Sequence, residues 1–302
     1  MEHLRPFVTQ ANLLLRLKFL LQWVIGQSTG KHNLRQTMGW LKNNLLAWKR
    51  NFMALQSLKI RGPMLLAAVA SVFSTSCSSA HQVSRAIELV NSAGLSLEGG
   101  KPEQARTQAL EAIELATDSP QILQSAAELL YRAGFVEESV PVFDRVINLA
   151  PEDRSHNWQR GIALATCGKF KEGAEQFQWH HDVNPDDVEN SAWYFLCLAK
   201  SDSLAKARES VIPSRGDARQ PMMTILKMLK QEATPEEVIK VGANSRSGQF
   251  YAALYVGLYY DSLGDPEKAK KYFRDACAVN IDGYMADTAK VYSEIRFQEK
   301  SP

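Results

Sequence analysis

From about Ser84 onward, small and apolar residues recur at helical spacing, in blocks interrupted by a glycine or a short polar turn. Ala93, Ala105, Ala109 and Ala112 flank the first turn at Gly100. Ala127, Leu130, Ser139, Phe143 and Val146 flank Gly134; Gly161, Leu164, Gly173 and Phe177 flank Gly168; Phe195, Leu198, Ala207 and Val211 flank Asp202. The turn positions Gly100, Gly134, Gly168 and Asp202 step by 34 residues without a slip. Each block therefore predicts two antiparallel helices, and the constant step predicts a stack. The fold class is all-α, a solenoid of stacked antiparallel helix pairs.

Each position in the block has a physical reason. Alanine or glycine lets the paired helices approach, and glycine at the turn supplies positive φ without a steric penalty. Phe143, Phe177 and Phe273 fill the space between successive pairs. Pro151 and Pro185 lie just beyond second helices, where proline stops continuation. After Val211 the register breaks, and Pro213, Gly216 and Pro221 give a loop composition. A short helix is expected from Met222 to Lys230, and another from Pro235, capped by Thr234 with Glu237 at the capping-box position. A last copy follows with Gly257, Tyr260, Gly264, Ala269, Phe273 and Ala276. Tyr284 to Phe297 reads as a capping helix with Tyr284, Ala289, Tyr292 and Ile295 facing inward.

This period, with its small, aromatic and proline positions, resembles the tetratricopeptide repeat family over residues 84–298. About five repeats are expected, at 86–119, 120–153, 154–187, 188–221 and 250–283, with a helical insertion and a C-terminal cap at 284–298. The stretch YAALYVGLYYDSLGDPEKAKKYFRDACA is also similar to the corresponding part of NlpI-like tetratricopeptide lipoproteins. That resemblance implies an outer-membrane adaptor, in a group that docks a periplasmic protease and peptidoglycan hydrolases.

Charge divides the chain. Up to Arg61 there are ten basic residues and one acidic residue, Glu2, which leaves 25 basic against 32 acidic in the remainder. A basic, acid-poor start suggests a targeting segment, and an acidic body disfavours nucleic acid as a partner. Residues 1–52 read as a basic extension, either an amphipathic helix lying on a membrane around Leu13–Ile25 or a stretch ahead of the true start. Residues 53–77 have signal-peptide order: Lys59 and Arg61, then an apolar run from Met64 to Phe73, then small residues leading to Cys77. The end resembles a bacterial lipobox, with Ser74 where leucine is usual. Cys77 would then be lipidated, and Ser78 after it implies the periplasmic face of the outer membrane. An ordinary signal for secretion and an organellar transit segment are the alternatives.

Candidate chemistry is sparse. Cys77, Cys167, Cys197 and Cys277 form no CxxC pair and have no histidine at ligand spacing, so no metal site is expected, and the last three read as buried small hydrophobes. Adjacent His180 and His181 diverge by about 100° on a helix and cannot share one ion. Asp186–Asp187 and Glu236–Glu237 suit helix starts. No nucleophile elbow or phosphate loop occurs. No catalytic residue and no cofactor is expected, and the chain reads as a non-enzyme.

The family resemblance implies instead a concave groove lined by the first helix of each pair. Its positions here bring Gln124, Glu128, Tyr131, Trp158, Ile162, Leu196, Tyr251, Leu254 and Leu258, with Trp193 beside them. Chaperone-binding members carry a clamp of Lys, Asn and Arg on those faces; Gln124, Glu128, Trp158 and Ile162 replace it here. An aromatic, apolar groove predicts a peptide or helix as partner. The expected function is a membrane-anchored protein-binding adaptor. The alternatives are an assembly factor for outer-membrane or pilus complexes, and a trans-acting regulator of a periplasmic protease or wall hydrolase. Tyr251, Tyr255, Tyr259 and Tyr260 near an open end also suggest self-association.

Overall fold

A computed structural model describes the backbone of residues 62–297 apart from Thr117, and side chains from Ser79 onward with the same exception. The extension expected at 1–52, the start of the signal segment and the side chain of Cys77 lie outside the described residues. The described residues from Cys77 onward form one compact unit, which holds the repeat array. Among the described residues the regular structure is helical throughout.

The helices pair as the period requires. Helix α1 (Gly62–Glu98) is followed by α2 (Pro102–Leu115), α3 (Pro120–Arg132) by α4 (Val136–Leu149), and α5 (Trp158–Thr166) by α6 (Phe170–Val183). Then come α7 (Val188–Ser201) with a short α8 (Leu204–Glu209), and two short helices α9 (Met222–Leu229) and α10 (Pro235–Gly242). Helices α11 (Arg246–Ser262) and α12 (Pro266–Ala278) form the last pair, and α13 (Tyr284–Phe297) ends the array. A 3-10 turn at Pro151–His156 links α4 to α5, where proline blocks a direct run-on.

The turn glycines work as the spacing predicts. Gly134 sits at φ 93° and Gly168 at φ 78°. Beyond each, an amide reaches back to close the helix end: Phe135 N–H donates to Leu130 O at 2.9 Å and Lys169 N–H to Leu164 O at 2.9 Å. This left-handed closure satisfies carbonyls that the helix end leaves unpaired. Asp202 departs from it, at φ −128°. There the next helix is started by Ser203, whose hydroxyl accepts from Lys206 N–H at 3.1 Å, and α8 runs for only six residues.

Close packing of the pairs explains the glycine–phenylalanine pattern. A Cβ on Gly161 would lie 2.7 Å from the Phe177 ring, so the ring occupies the space that the missing side chain leaves. Phe143, Phe177 and Phe273 are all buried. The insertion does not interrupt the stack: α9 packs on both α7 and α11, and α7 and α11 also touch directly. Thr234 and Glu237 form the expected capping box, with Thr234 N–H donating to Glu237 at 2.7 Å and Glu237 N–H to Thr234 at 3.2 Å. The linker before the insertion is pinned by arginines. Arg215 pairs with Asp186 at 2.7 Å, and Arg219 holds Asp187 at 2.8 Å, Asp217 at 2.6 Å and Glu189.

Two expectations are corrected here. Cys197 is buried and Cys167 half-buried, but Cys277 is exposed, because it lies on the face of α12 that leaves the core while Phe273 and Ala276 fill it. On α13, Ala289 and Tyr292 are fully buried, whereas Ile295 is 47% exposed. Tyr292 and Phe297 pack on Phe273, and that orientation turns Ile295 outward.

Candidate functional site

The first helices α5, α7 and α11 pack in succession, and α3 is joined to α5 by polar side chains at one rim, with aromatic rings beside them. At the rim, Asn157 donates to Gln124 at 2.8 Å, and Gln124 donates to Glu128 at 2.9 Å. Gln159 donates to the same Glu128 oxygen at 2.9 Å. The ladder ties α3 to α5. Burial raises the Glu128 carboxyl above its usual range, although both glutamine amides favour its charged form.

Further in, the face is covered by the chain's own last helix. Helix α13 packs on α12 and also on α3 and α5. The Tyr284 ring stacks on Tyr131 with centroids 5.8 Å apart and meets the edge of Trp158 at 5.0 Å. Arg132 on α3 pairs with Asp287 at 2.7 Å. One turn and more along α13, Tyr292 lies edge-on to Trp193 at 5.6 Å and stacks on Phe273 at 5.0 Å. Its hydroxyl donates to Asp261, which also pairs with Lys200 of α7. Burial, and then the negative charge of Asp261, raise the Tyr292 phenol well above its usual range.

Beside α13 a cavity of about 210 Å³ remains, lined by Trp158, Ile162, Phe177, Asn190, Trp193 and Met285 among others. Asp187, Glu189 and His180 edge it. Glu189 accepts from Tyr255 and is paired with Arg219, yet burial raises its carboxyl above the usual range. Trp193 Nε1 and Asn190 Oδ1 are buried without a partner. Tyr255 stacks in parallel on Tyr251 at 6.2 Å, and both lie close to the Glu189 and Arg219 pair.

The structure thus distributes the sequence-expected groove residues over four settings. Gln124 and Glu128 form the rim ladder, whereas Tyr251 on α11 is half-buried beside Tyr255, near Glu189 and Arg219. Tyr131, Trp158, Ile162 and Trp193 come together under α13 and around the cavity. Leu196, Leu254 and Leu258 are fully buried in the core between helices. Residues that the pattern did not single out are Arg132, Asn190 and Met285. Their signal was weak, because Arg132 and Met285 act through a helix distant in sequence.

The other candidate chemistry resolves into structure. His180 Nδ1 lies 2.9 Å from Ser155 O, tying α6 to the 3-10 turn. Burial pushes the Cys167 thiol up to about 11 and raises Cys197 further. Among the described residues no group of three or more His, Cys, Asp or Glu is arranged to hold a metal ion.

No family model matches the chain. Solved structures with a similar course include MamA residues 41 to the end from Desulfovibrio magneticus RS-1. It is 19% identical, with 65% of this chain and 94% of that chain covered and a TM-score of 0.41. YrrB, described as a TPR protein with an unusual peptide-binding site, is 20% identical over 68% of this chain and 91% of that chain, with a TM-score of 0.38. A tetratricopeptide repeat protein from Parabacteroides merdae ATCC 43184 is 14% identical over 68% and 84%, with a TM-score of 0.43. The assignment of a tetratricopeptide-type solenoid rests on this chain's own 34-residue step and the helix pairs built on it.

Proposed function

We propose that this chain is a non-enzymatic protein-binding scaffold that holds a peptide or helix on the inner face of its helix-pair array. The observation that carries the reading is the seat of α13: the face formed by α3, α5 and α7 takes up a helix through paired aromatic rings and one ion pair. Large, stiff aromatic side chains give contact area at little cost in rotamer freedom, as binding surfaces require. In this reading Trp158 and Tyr251 are contact residues, and the Gln124–Glu128 ladder orients the rim.

The scaffold works at a membrane, tethered through a lipidated Cys77. Support comes from the order of Lys59 and Arg61, the apolar run Met64–Phe73 and the small residues before the cysteine. More than one acyl chain makes such attachment stable. Among the described residues no helix is long and apolar enough to cross a membrane.

Affinity capture from membranes, followed by mass spectrometry, tests the scaffold. Proteins recovered with the wild-type chain are expected to be lost with Trp158→Ala plus Tyr251→Ala while helical content is kept; equal recovery refutes the reading. Labelling with a radioactive fatty acid tests the anchor separately. Wild type is expected to take up label and Cys77→Ser to lack it, and an unlabelled wild type rejects the tether.

A further inference from the structure

The inner face is occupied by a helix of the same chain, and that helix displays the chemistry the face accepts. Tyr284 fills the gap between Tyr131 and Trp158, Asp287 reaches Arg132, and Tyr292 reaches Trp193 and Asp261. The fit is incomplete in two respects. Tyr284 Oη and Arg296 Nε on α13, and Nε1 of Trp193, whose ring packs on Tyr292, are buried without a hydrogen-bond partner, which costs stability. The pocket of about 210 Å³ beside Met285 also leaves room on this face for a side chain larger than the methionine. A short connection from Val279 to Gly283 joins α13 to α12, and Gly283 takes φ 118°.

We propose that α13 is a displaceable self-ligand, and that the partner of the inner face is an amphipathic helix repeating its chemistry in a better-filled form. That helix carries an aromatic residue at a first position, a large apolar residue at the second, a carboxylate at the fourth and an aromatic residue at the ninth. These correspond to Tyr284, Met285, Asp287 and Tyr292. The second position confers the advantage over α13, because a side chain larger than Met285 reaches into the cavity between Trp158, Ile162 and Trp193. The inference rests on the reading of the inner face as the binding surface, and adds which class of helix binds and what it must expel. An occupied face scales down the apparent affinity of every competitor to the fraction of molecules in which α13 is unseated. Only helices that match the pattern then gain entry.

The test uses the full chain and fluorescent peptides of residues 283–297, one with the native sequence and one with Met285→Trp. Tyr284→Ala with Asp287→Ala in the chain loosens α13 and leaves the face intact. This chain is expected to bind the native peptide at least about tenfold more tightly than wild type, and the Trp peptide about tenfold more tightly again. A peptide with Asp287→Ala and Tyr292→Ala is expected not to bind. If the loosened chain, folded by circular dichroism, binds the native peptide no better than wild type, the inference fails. It also fails if the Trp peptide gains nothing over the native one.

Should the loosened chain not fold, hydrogen exchange on the wild type decides instead. Excess Trp peptide is expected to strip protection from amides 284–297 while α3 and α5 stay protected. Unchanged protection over 284–297 overturns the proposal. Membrane capture separates the two readings: lost peptide binding with intact capture removes this inference alone, and the reverse removes the scaffold partner alone.

Discussion

The Tyr292 hydroxyl donates to the Asp261 carboxylate across 2.6 Å, and Lys200 pairs with the other oxygen of that carboxylate at 2.7 Å. Three helices, α13, α11 and α7, meet at one buried acid. Asp261 is 4% exposed and Tyr292 fully buried, so the contact is made in a setting where an unmade bond is expensive. Tyr292→Phe removes the hydroxyl and leaves Asp261 with Lys200. The expected loss is about 1–2 kcal/mol in urea unfolding. Asp261→Ala strands both partners and is expected to cost more, about 3 kcal/mol or above. Equal losses in the two variants would show that Lys200 contributes nothing.

Gly161 and Phe177 test the packing rule of the repeat. With a Cβ only 2.7 Å from the ring, Gly161→Ala is expected to destabilise by about 1–3 kcal/mol through overpacking. Gly134→Ala meets no atom within 4 Å, and its cost of about 1 kcal/mol comes from the left-handed backbone at φ 93°. Combining Gly161→Ala with Phe177→Leu separates the mechanisms, since the smaller side chain is expected to recover part of the loss at Gly161 and none at Gly134.

Acid is expected to release the linker between α8 and α9. Hydrogen bonds from the Arg215 side chain and backbone hold the Asp186 carboxyl below its ordinary range. At Asp217 burial pushes upward, but the Arg219 bonds and charge outweigh it, and the carboxyl is again lowered. A depressed folded value means that the stabilisation is complete above the unfolded value, about pH 3.9, and is lost as pH falls through the folded one. Hydrogen exchange over residues 212–221 is therefore expected to rise, beyond its intrinsic pH dependence, as the protein is taken from pH 6 to below about pH 4. Arg215→Ala with Arg219→Ala is expected to show that exposed linker already at pH 6.

Trp158 makes an edge contact with Tyr284 and lines the adjoining cavity. Trp158→Ala is expected to increase proteolytic cleavage around Val279–Gly283 and hydrogen exchange over α13, with α5 and α6 staying paired. Loss of helical signal across the whole array would assign Trp158 to the core alone.

Much of this fold is written in local pattern. Gly161 with Phe177, and Gly257 with Phe273, repeat the same close approach, so each copy reinforces the reading of the others. The start of α13 at Tyr284 also follows from its apolar spacing. Its destination does not. Arg132 and Asp287 are 155 residues apart, and nothing near either one specifies the other. Tyr131, Ile162 and Trp193 were legible as residues of the first-helix face, but their burial depends on a helix that returns from the far end of the chain. The partners of Glu189 are likewise set by the fold alone, which brings Tyr255 and Arg219 onto it from α11 and the linker. Cys277 carries the opposite lesson, since small hydrophobic neighbours in sequence occupy both faces of α12 and do not show which face is buried.

The most direct measurement places a photoreactive side chain at Gln159 or Tyr251 on the inner face, and at Glu175 or Lys206 on second helices, in the full chain in membranes. Crosslinks to the captured partner are expected from 159 and 251 and not from 175 or 206. Equal or stronger crosslinking from 175 and 206 would contradict the central claim that the inner face is where this scaffold holds its partner.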